Sequence, residues 1–291
     1  MNAALIPDLS SLRAVEAQLQ RLIQHEEAAY HSARLERTDS LWSHSIRVAS
    51  LAEKIGIQEG GDLTACRLAG LFHDAGKFEN GSYHSDKTKE EDGSVRILYE
   101  VTRGRGVQPE LVDQVAEAIL QVYSDTSELS LLAGILFDAD NLDKLGLPGV
   151  CNFLIKAGLR GRGLNRPLIQ RISVELTYAR YAPKIMMTKT GRKLAAERAS
   201  NTIDFYHQLL HSLRNDGFFD FHVNQVDYQG MTLDIVESSF CECGGPSERQ
   251  IWDAPDLKCQ KIHVRHHCNL CGNSHEFQFC RPLLSVGLRV T

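Results

Sequence analysis

The stretch that most limits how this chain can fold is "LAGLFHDAGKF", Leu68 to Phe78. Apolar residues at helical spacing carry His73 and Asp74, side by side, to the end of a helix that runs out at Gly76. A carboxylate drawn into apolar surroundings needs a paired cation. A helix C-terminus is already the negative end of the dipole and offers it none. Imidazole nitrogen beside carboxylate oxygen suits a borderline divalent cation such as Zn, Mn, Fe or Co. The alternative is local: Asp74 serves as a side-chain acceptor and His73 rests on the helix dipole. The rest of the chain decides between them by supplying, or not supplying, further ligands.

Helical periodicity continues on both sides. "DLSSLRAVEAQLQRLIQHEEAAYHSARLER" places Leu12, Val15, Leu19, Leu22 and Ile23 on one face, with Ser10 or Ser11 as cap and His25 and His31 on the polar side. "DSLWSHSIRVASLAEKIG" follows, with Asp39 as the expected N-cap and Gly56 as the expected stop. Its apolar stripe is Leu41, Val48, Leu51, Ala52 and Ile55, and His44 lies within a turn of that stripe. Asp62 caps the helix leading to His73. A polar, glycine-bearing loop then carries Lys77, Glu79, His84 and Lys87, long enough to form a substrate wall.

Further helices are expected from about Gly93 to Tyr99, over "LVDQVAEAILQVY", and over "ELSLLAGILFDADNLDKLG". The last ends in Asp138, Asp140 and Asp143, three acids that dipole compensation does not explain and a bound cation does. Helical pattern persists to Asn215, interrupted by glycine-basic turns around Arg103/Arg105, Arg160/Arg162 and Lys189/Arg192. These are solvated connections or phosphate contacts. After Gly217 the chain turns aromatic and β-branched, with a turn at Gly230, and reads as strands.

Four ligands thus come from three helices: His44, His73, Asp74 and Asp140. Two imidazoles and two carboxylates leave a six-coordinate ion open positions, the mark of a catalytic metal site. Such an ion polarises a phosphoryl oxygen and lowers the pKa of water, so phosphoester or phosphoanhydride hydrolysis is the natural chemistry.

The order H…HD…D in an all-helical region resembles the HD-domain superfamily of metal-dependent phosphohydrolases. The likeness spans roughly residues 38–215 and is most specific in "LWSHSIRVA", "LFHDAGK", "FDADNLDKLG" and "MTKTGRKLAAERASNTIDFY". The last two are similar to a bacterial subgroup that hydrolyses nucleotides. The resemblance implies His44, His73, Asp74 and Asp140 as ligands of one catalytic divalent cation (Mn, Fe, Co, Ni, Mg or Zn). It also implies Lys77 as a phosphate contact. Two-metal members carry extra histidines between the HD pair and the last aspartate. Here that interval holds only His84, and Tyr123-Ser124 stands where the subgroup often has histidine. One metal is therefore expected, with His84 and Glu91 the residues that would rescue a second site. Glu79 or His84 is the expected general acid or base. Arg47, one turn past His44, either holds a phosphate or makes an ion pair, and Asp143 either orients a ligand or water or pairs with a base.

Six of the eight cysteines lie between Cys241 and Cys280, while Cys66 and Cys151 stand in apolar surroundings as expected buried thiols. "CECGG" and "CNLCGN" give C-x-C-x24-C-x2-C, the two knuckles of a zinc-ribbon-like segment. Cys241, Cys243, Cys268 and Cys271 are the expected ligands of a structural Zn. Cys259, His263, His266, His267, His275 and Cys280 remain as surplus candidates. "KCQKIHVRHH" is basic enough for nucleic acid or protein docking but shows little aromatic interleaving.

The expected architecture is mainly α: a helix over residues 1–37 packing on an all-helical bundle over 38–215, then a small β-rich zinc-binding domain over 216–291. The expected activity is cleavage of a nucleotide or small phosphoester by metal-activated water. Competing readings are a nucleic-acid-binding or regulatory protein that senses nucleotides, and a phosphodiesterase acting on nucleic acid or a cyclic dinucleotide. The roles expected of the tail are forming a homodimer, covering the cleft or recruiting a partner. Net charge of −5 disfavours bulk nucleic-acid binding. No basic region followed by an apolar core opens the chain and no apolar run of about 18 residues occurs, so a cytoplasmic protein without a membrane span is expected.

Overall fold

The computed structural model describes residues 9–31, 40–78, 89–122, 124, 129–160, 162–255 and 260–280. Its Cα positions divide into two compact units, 1–143 with 187–191, and 144–186 with 192–291.

The first unit holds α1 (Leu9–His31), α2 (Ser40–Glu59), α3 (Leu63–Phe72), α4 (Glu90–Thr102), α5 (Pro109–Val122) and α6 (Leu131–Asp143). Val15, Leu19 and Ile23 of α1 are buried. Glu27, buried near its end, accepts the Leu41 amide of α2 with both oxygens at 3.3 Å. A carboxylate at that helix N-terminus meets its unpaired N–H groups and positive dipole end. The expected cap Asp39 lies outside the described residues.

Gly56 does not stop α2. The helix continues to Glu59, and the left-handed residue is Gly60, with φ of 76°. Gly56 serves packing instead: a Cβ there would lie 2.7 Å from the Cys66 sulfur. The tightest approach of α2 to α3 is at Gly70, where a Cβ would fall 2.5 Å from the Ala49 Cα and 2.6 Å from its nitrogen. Backbone cannot yield as a side-chain tip can. Gly70→Ala should therefore cost about 1–3 kcal/mol from forced separation of the helices, outweighing a helix-propensity gain of roughly 0.5–1 kcal/mol. A lower denaturation midpoint at unchanged m-value checks this.

α3 begins at Asp62, whose side chain accepts the Ala65 amide at 2.9 Å, as expected of a cap. Beyond Phe72 the chain tightens into turns, with Ala75 N to Phe72 O and Lys77 N to Asp74 O both 3.0 Å. Gly76 lies where α4 comes closest, since a Cβ would meet Glu90 O at 2.5 Å, and its amide donates to Ser94 Oγ at 3.0 Å. α4 runs a turn further at each end than the expected Gly93–Tyr99.

The second unit holds α7 (Gly146–Leu159), α8 (Arg166–Ile185), most of α9 (Lys189–Asn215), and five strands: β1 (His222–Tyr228), β2 (Met231–Glu237), β3 (Ser247–Pro255), β4 (Gln260–Cys268) and β5 (Ser274–Cys280). β1 and β2 form an antiparallel hairpin through Gln229 and Gly230, both at positive φ as a tight hairpin turn requires. β3, β4 and β5 form a three-stranded antiparallel sheet in that order.

α8 closes the open edge of β2. Ser173, Thr177 and Tyr181, one turn apart, accept the amides of Val236, Asp234 and Thr232 at 2.8, 2.9 and 2.8 Å. Every fourth helix residue meets every second strand residue, so strand N–H groups that would face water or another chain are satisfied. Arg180 adds a two-point pairing with Asp234, each bond 2.7 Å. The change of residue character near 215–220 coincides with the end of α9 and the start of β1. The compact units divide earlier, after Asp143, because Val150, Ile169, Ile172, Tyr206 and Leu210 share one core with Phe221 and Val236. Cys66 is buried and its thiol pushed up to about 11 by that burial, with Asp62 and Glu53 adding to it. Cys151, expected to be buried, is exposed, because α7 turns Val150 and Ala157 inward instead. Among the described residues no helix is long and apolar enough to cross a membrane.

Candidate metal centres

α2, the end of α3 and α6 bring His44, His73 and Asp140 to one point, with Asp74 beside them. His44 Nε2 lies 3.2 Å from His73 Nε2, 3.4 Å from Asp140 Oδ1 and 3.7 Å from Asp74 Oδ2. His73 Nε2 is 3.7 Å from Asp74 Oδ2 and 3.9 Å from Asp140 Oδ1. Atoms about 2.1 Å from one ion stand about 3.0 Å apart at right angles and about 3.4 Å apart at tetrahedral angles. His44, His73 and Asp140 offer ligand atoms within 4.8 Å of one another.

The tautomers sharpen the point. His73 Nδ1 lies 2.9 Å from the Gly70 carbonyl and His44 Nδ1 lies 2.8 Å from Asp143 Oδ2. A carbonyl and an ionised carboxylate only accept, so both Nδ1 atoms carry the proton. Both neutral rings then aim Nε2 lone pairs at each other across 3.2 Å, with two carboxylates beside them. That arrangement repels itself unless a cation or a proton sits between them, and the donor set therefore fits a divalent ion.

Charge follows the same pattern. Burial lowers the His44 pKa, but hydrogen bonds to Asp140 and Asp143 lift it above the ordinary value overall. Burial holds the His73 pKa down. Burial would raise Asp74, yet His73, Lys77 and His44 hold it well below the usual carboxylate range. Lys77 Nζ rests 2.5 Å from Asp74 Oδ2 with about a quarter of its side chain exposed.

The three acids closing α6 do three different things, so one cation does not account for them all. Only Asp140 joins the two imidazoles. Asp138 is fully buried and accepts the Met187 and Thr188 amides and the Thr188 hydroxyl at 2.7, 2.8 and 2.7 Å. It thereby fastens residues 187–191 to α6, and a Cβ on Gly191 would fall 2.0 Å from its oxygen. Asp143 accepts from His44 and from Arg47, whose Nε and Nη2 lie 2.6 and 2.9 Å away. Arg47 thus makes the ion pair that was one of its two expected roles. Among the basic turns, Arg105 and Arg192 donate to the carbonyls of Val101 and Met186 at 2.5 and 2.9 Å. Glu91 lies in the first turn of α4. Glu79, His84 and Tyr123 lie outside the described residues.

In the second unit Cys241, Cys243, Cys268 and Cys271 place their sulfurs within 4.8 Å of one another. Cys241 and Cys271 are 3.7 Å apart, Cys243 and Cys268 3.5 Å. Those distances are far beyond a disulfide's and match the roughly 3.8 Å between sulfurs held tetrahedrally at about 2.3 Å from zinc. Backbone amides at Cys271 and Leu270 lower the Cys268 thiol to about 7. The Asn273 amide lowers Cys271, but Cys243 and Cys268 beside it push it up to about 12. Four sulfurs so placed fit a tetrahedral cation, which would hold them as thiolates. Two of the surplus histidines go elsewhere: His263 bonds Glu276 at 2.7 Å, and buried His266 stacks on Phe277. Cys259 lies outside the described residues.

Residues 41–145 match the HD domain model. The protein YpgQ of Bacillus subtilis strain 168, described as uncharacterized, is 31% identical over 180 residues, 58% of this chain and 82% of YpgQ. A crystal structure of B. subtilis YpgQ superposes with a TM-score of 0.52 and 25% identity, over 70% of this chain and 98% of that one. YpgQ in complex with ADP gives 0.54 and 24%, over 71% and 97%. A Lactobacillus plantarum protein gives 0.50 and 19%, over 72% and 100%. The matched residues contain His44, His73, Asp74 and Asp140 in the order and geometry just described, and the chain belongs to the HD-domain superfamily.

Proposed function

We propose that the protein is a hydrolase of nucleotide phosphoester or phosphoanhydride bonds, dependent on one divalent ion at His44, His73, Asp74 and Asp140. The observation that carries this reading is the pair of opposed Nε2 lone pairs with two carboxylates around one point. A divalent ion bound there lowers the pKa of water and neutralises charge on a phosphoryl oxygen. His73 and Asp74 are buried, whereas Asp140 keeps about a fifth of its side chain exposed, so the substrate side of the site is the Asp140 side. Lys77, partly exposed and already against Asp74, is suited to reach a phosphate oxygen when substrate arrives. Glu79 and His84 stay candidates for protonating the leaving oxygen.

Nucleotide rather than another phosphoester is favoured by the ADP complex of YpgQ. The nucleic-acid reading has less support. Arg265 and His263 on β4 both engage Glu276, so the basic strand spends much of its charge within its own sheet. Trp252 beside His263 is likewise covered by the Arg265 guanidinium. We propose zinc for the four-cysteine site, as a structural ion that organises the β3–β5 sheet.

Released phosphate and pyrophosphate should be measured across nucleoside mono-, di- and triphosphates with Mn, Co or Ni. Turnover of at least one nucleotide, abolished by chelator and restored by metal, is the expected result. Absence of release from every nucleotide, with metal bound, sinks the proposal.

A further inference from the structure

We infer that Asp143, clamped by Arg47, is the positioning residue that holds His44 as a metal ligand, and that it also locks the register of α2 against α6. The inference rests on the proposed ion at His44, His73, Asp74 and Asp140, and goes beyond it by assigning roles to two residues outside that ligand set.

Each helix supplies one ligand and one support, three residues apart. α2 gives His44 and Arg47, and α6 gives Asp140 and Asp143. Residues at that spacing share a helix face. The supports meet each other: Arg47 Nε donates to Asp143 Oδ1 at 2.6 Å, and Arg47 Nη2 to Oδ2 at 2.9 Å. The same Oδ2 accepts His44 Nδ1–H at 2.8 Å. Asp143 is nearly inaccessible to solvent, with only 3% of its surface exposed, so its bonds are not shared with bulk water.

Two consequences follow from that geometry. The carboxylate fixes His44 in the tautomer whose Nε2 lone pair faces His73, and it makes the ring a more basic donor. His73 is oriented differently, by the neutral Gly70 carbonyl. Of the two imidazoles, His44 is therefore the one whose ligand strength depends on a charged partner. Second, the planar guanidinium matches the carboxylate at two points, so sliding α2 along α6 breaks both bonds together. An Arg at position 47 does what a point charge on a lysine stem cannot.

The test is metal affinity in the full-length, zinc-loaded protein, with Co2+ as probe, read by calorimetry and by its visible absorption. Asp143→Asn and Arg47→Lys should each weaken Co2+ binding roughly 10- to 100-fold, with an altered cobalt spectrum and zinc content unchanged. Binding within twofold of the unsubstituted protein, with the same spectrum, overturns the inference and leaves the ion itself intact. No Co2+ binding by the unsubstituted protein overturns the ion reading, and the inference with it. Nitrogen-15 chemical shifts of the cobalt-free protein need no variant to fold. His44 protonated at Nδ1 supports the assignment, and protonation at Nε2 alone overturns it.

Discussion

Asp74→Ala should lose the divalent ion from the helical site and reduce nucleotide hydrolysis by about a thousandfold or more, the several kcal/mol that such an ion contributes to a phosphoryl transition state. Asp74 is the buried acid of the set and lies 3.7 Å from both imidazole Nε2 atoms. Removing it also takes away the carboxylate that lies 2.5 Å from the Lys77 ammonium. The loss is therefore twofold: a ligand disappears, and with it a negative charge beside the ion and Lys77. Elemental analysis of the purified variant checks this, because the cysteine site belongs to the other compact unit and should keep one zinc per chain. Full activity in Asp74→Ala would end the case for His73-Asp74 as the heart of the site.

Cys268→Ser should have the complementary effect, with zinc lost and the helical ion retained. Structural zinc contributes about 10–16 kcal/mol of apparent binding free energy in peptides that fold only around the ion. Here the dependence is more local, because Ile262, Val264, Phe277 and Phe279 share an apolar cluster with Met231, Leu233 and Ile235. That cluster should hold β4 and β5 in place near their middles. The knuckles, whose main internal ties are bonds such as Cys241 N to Gly245 O at 2.8 Å and Cys268 N to Asn273 O at 2.9 Å, should open. Amide exchange should rise sharply over residues 239–247 and 268–273 and little over β1 and β2. Uniform protection in a zinc-free variant would show that the four sulfurs meet for another reason.

Much of this was legible along the chain. The HD pair could be read because its helix is apolar up to His73 and because buried acids demand partners. The cap at Asp62, the hairpin at Gly230 and the cysteine knuckles each depend on a few adjacent residues, and local backbone chemistry settles such features. Gly56 misled for the same reason: a glycine near a helix end reads as a stop, while its contact with Cys66 comes from a different helix.

Residue order alone determined that this chain carries metal-ligand chemistry in a helical region and a cysteine pattern in a strand region, since ligand type and spacing are properties of the sequence itself. Only the tertiary structure decided how Asp138, Asp140 and Asp143 divide their work. The three sit within two turns of one helix, and nothing in their spacing distinguishes a ligand from a fastening for residues 187–191 or a support for His44. Successive helical positions point about 100° apart, so Asp138 turns to residues 187–191, while Asp140 and Asp143 share a face and meet different nitrogens of His44, a residue from a distant part of the chain.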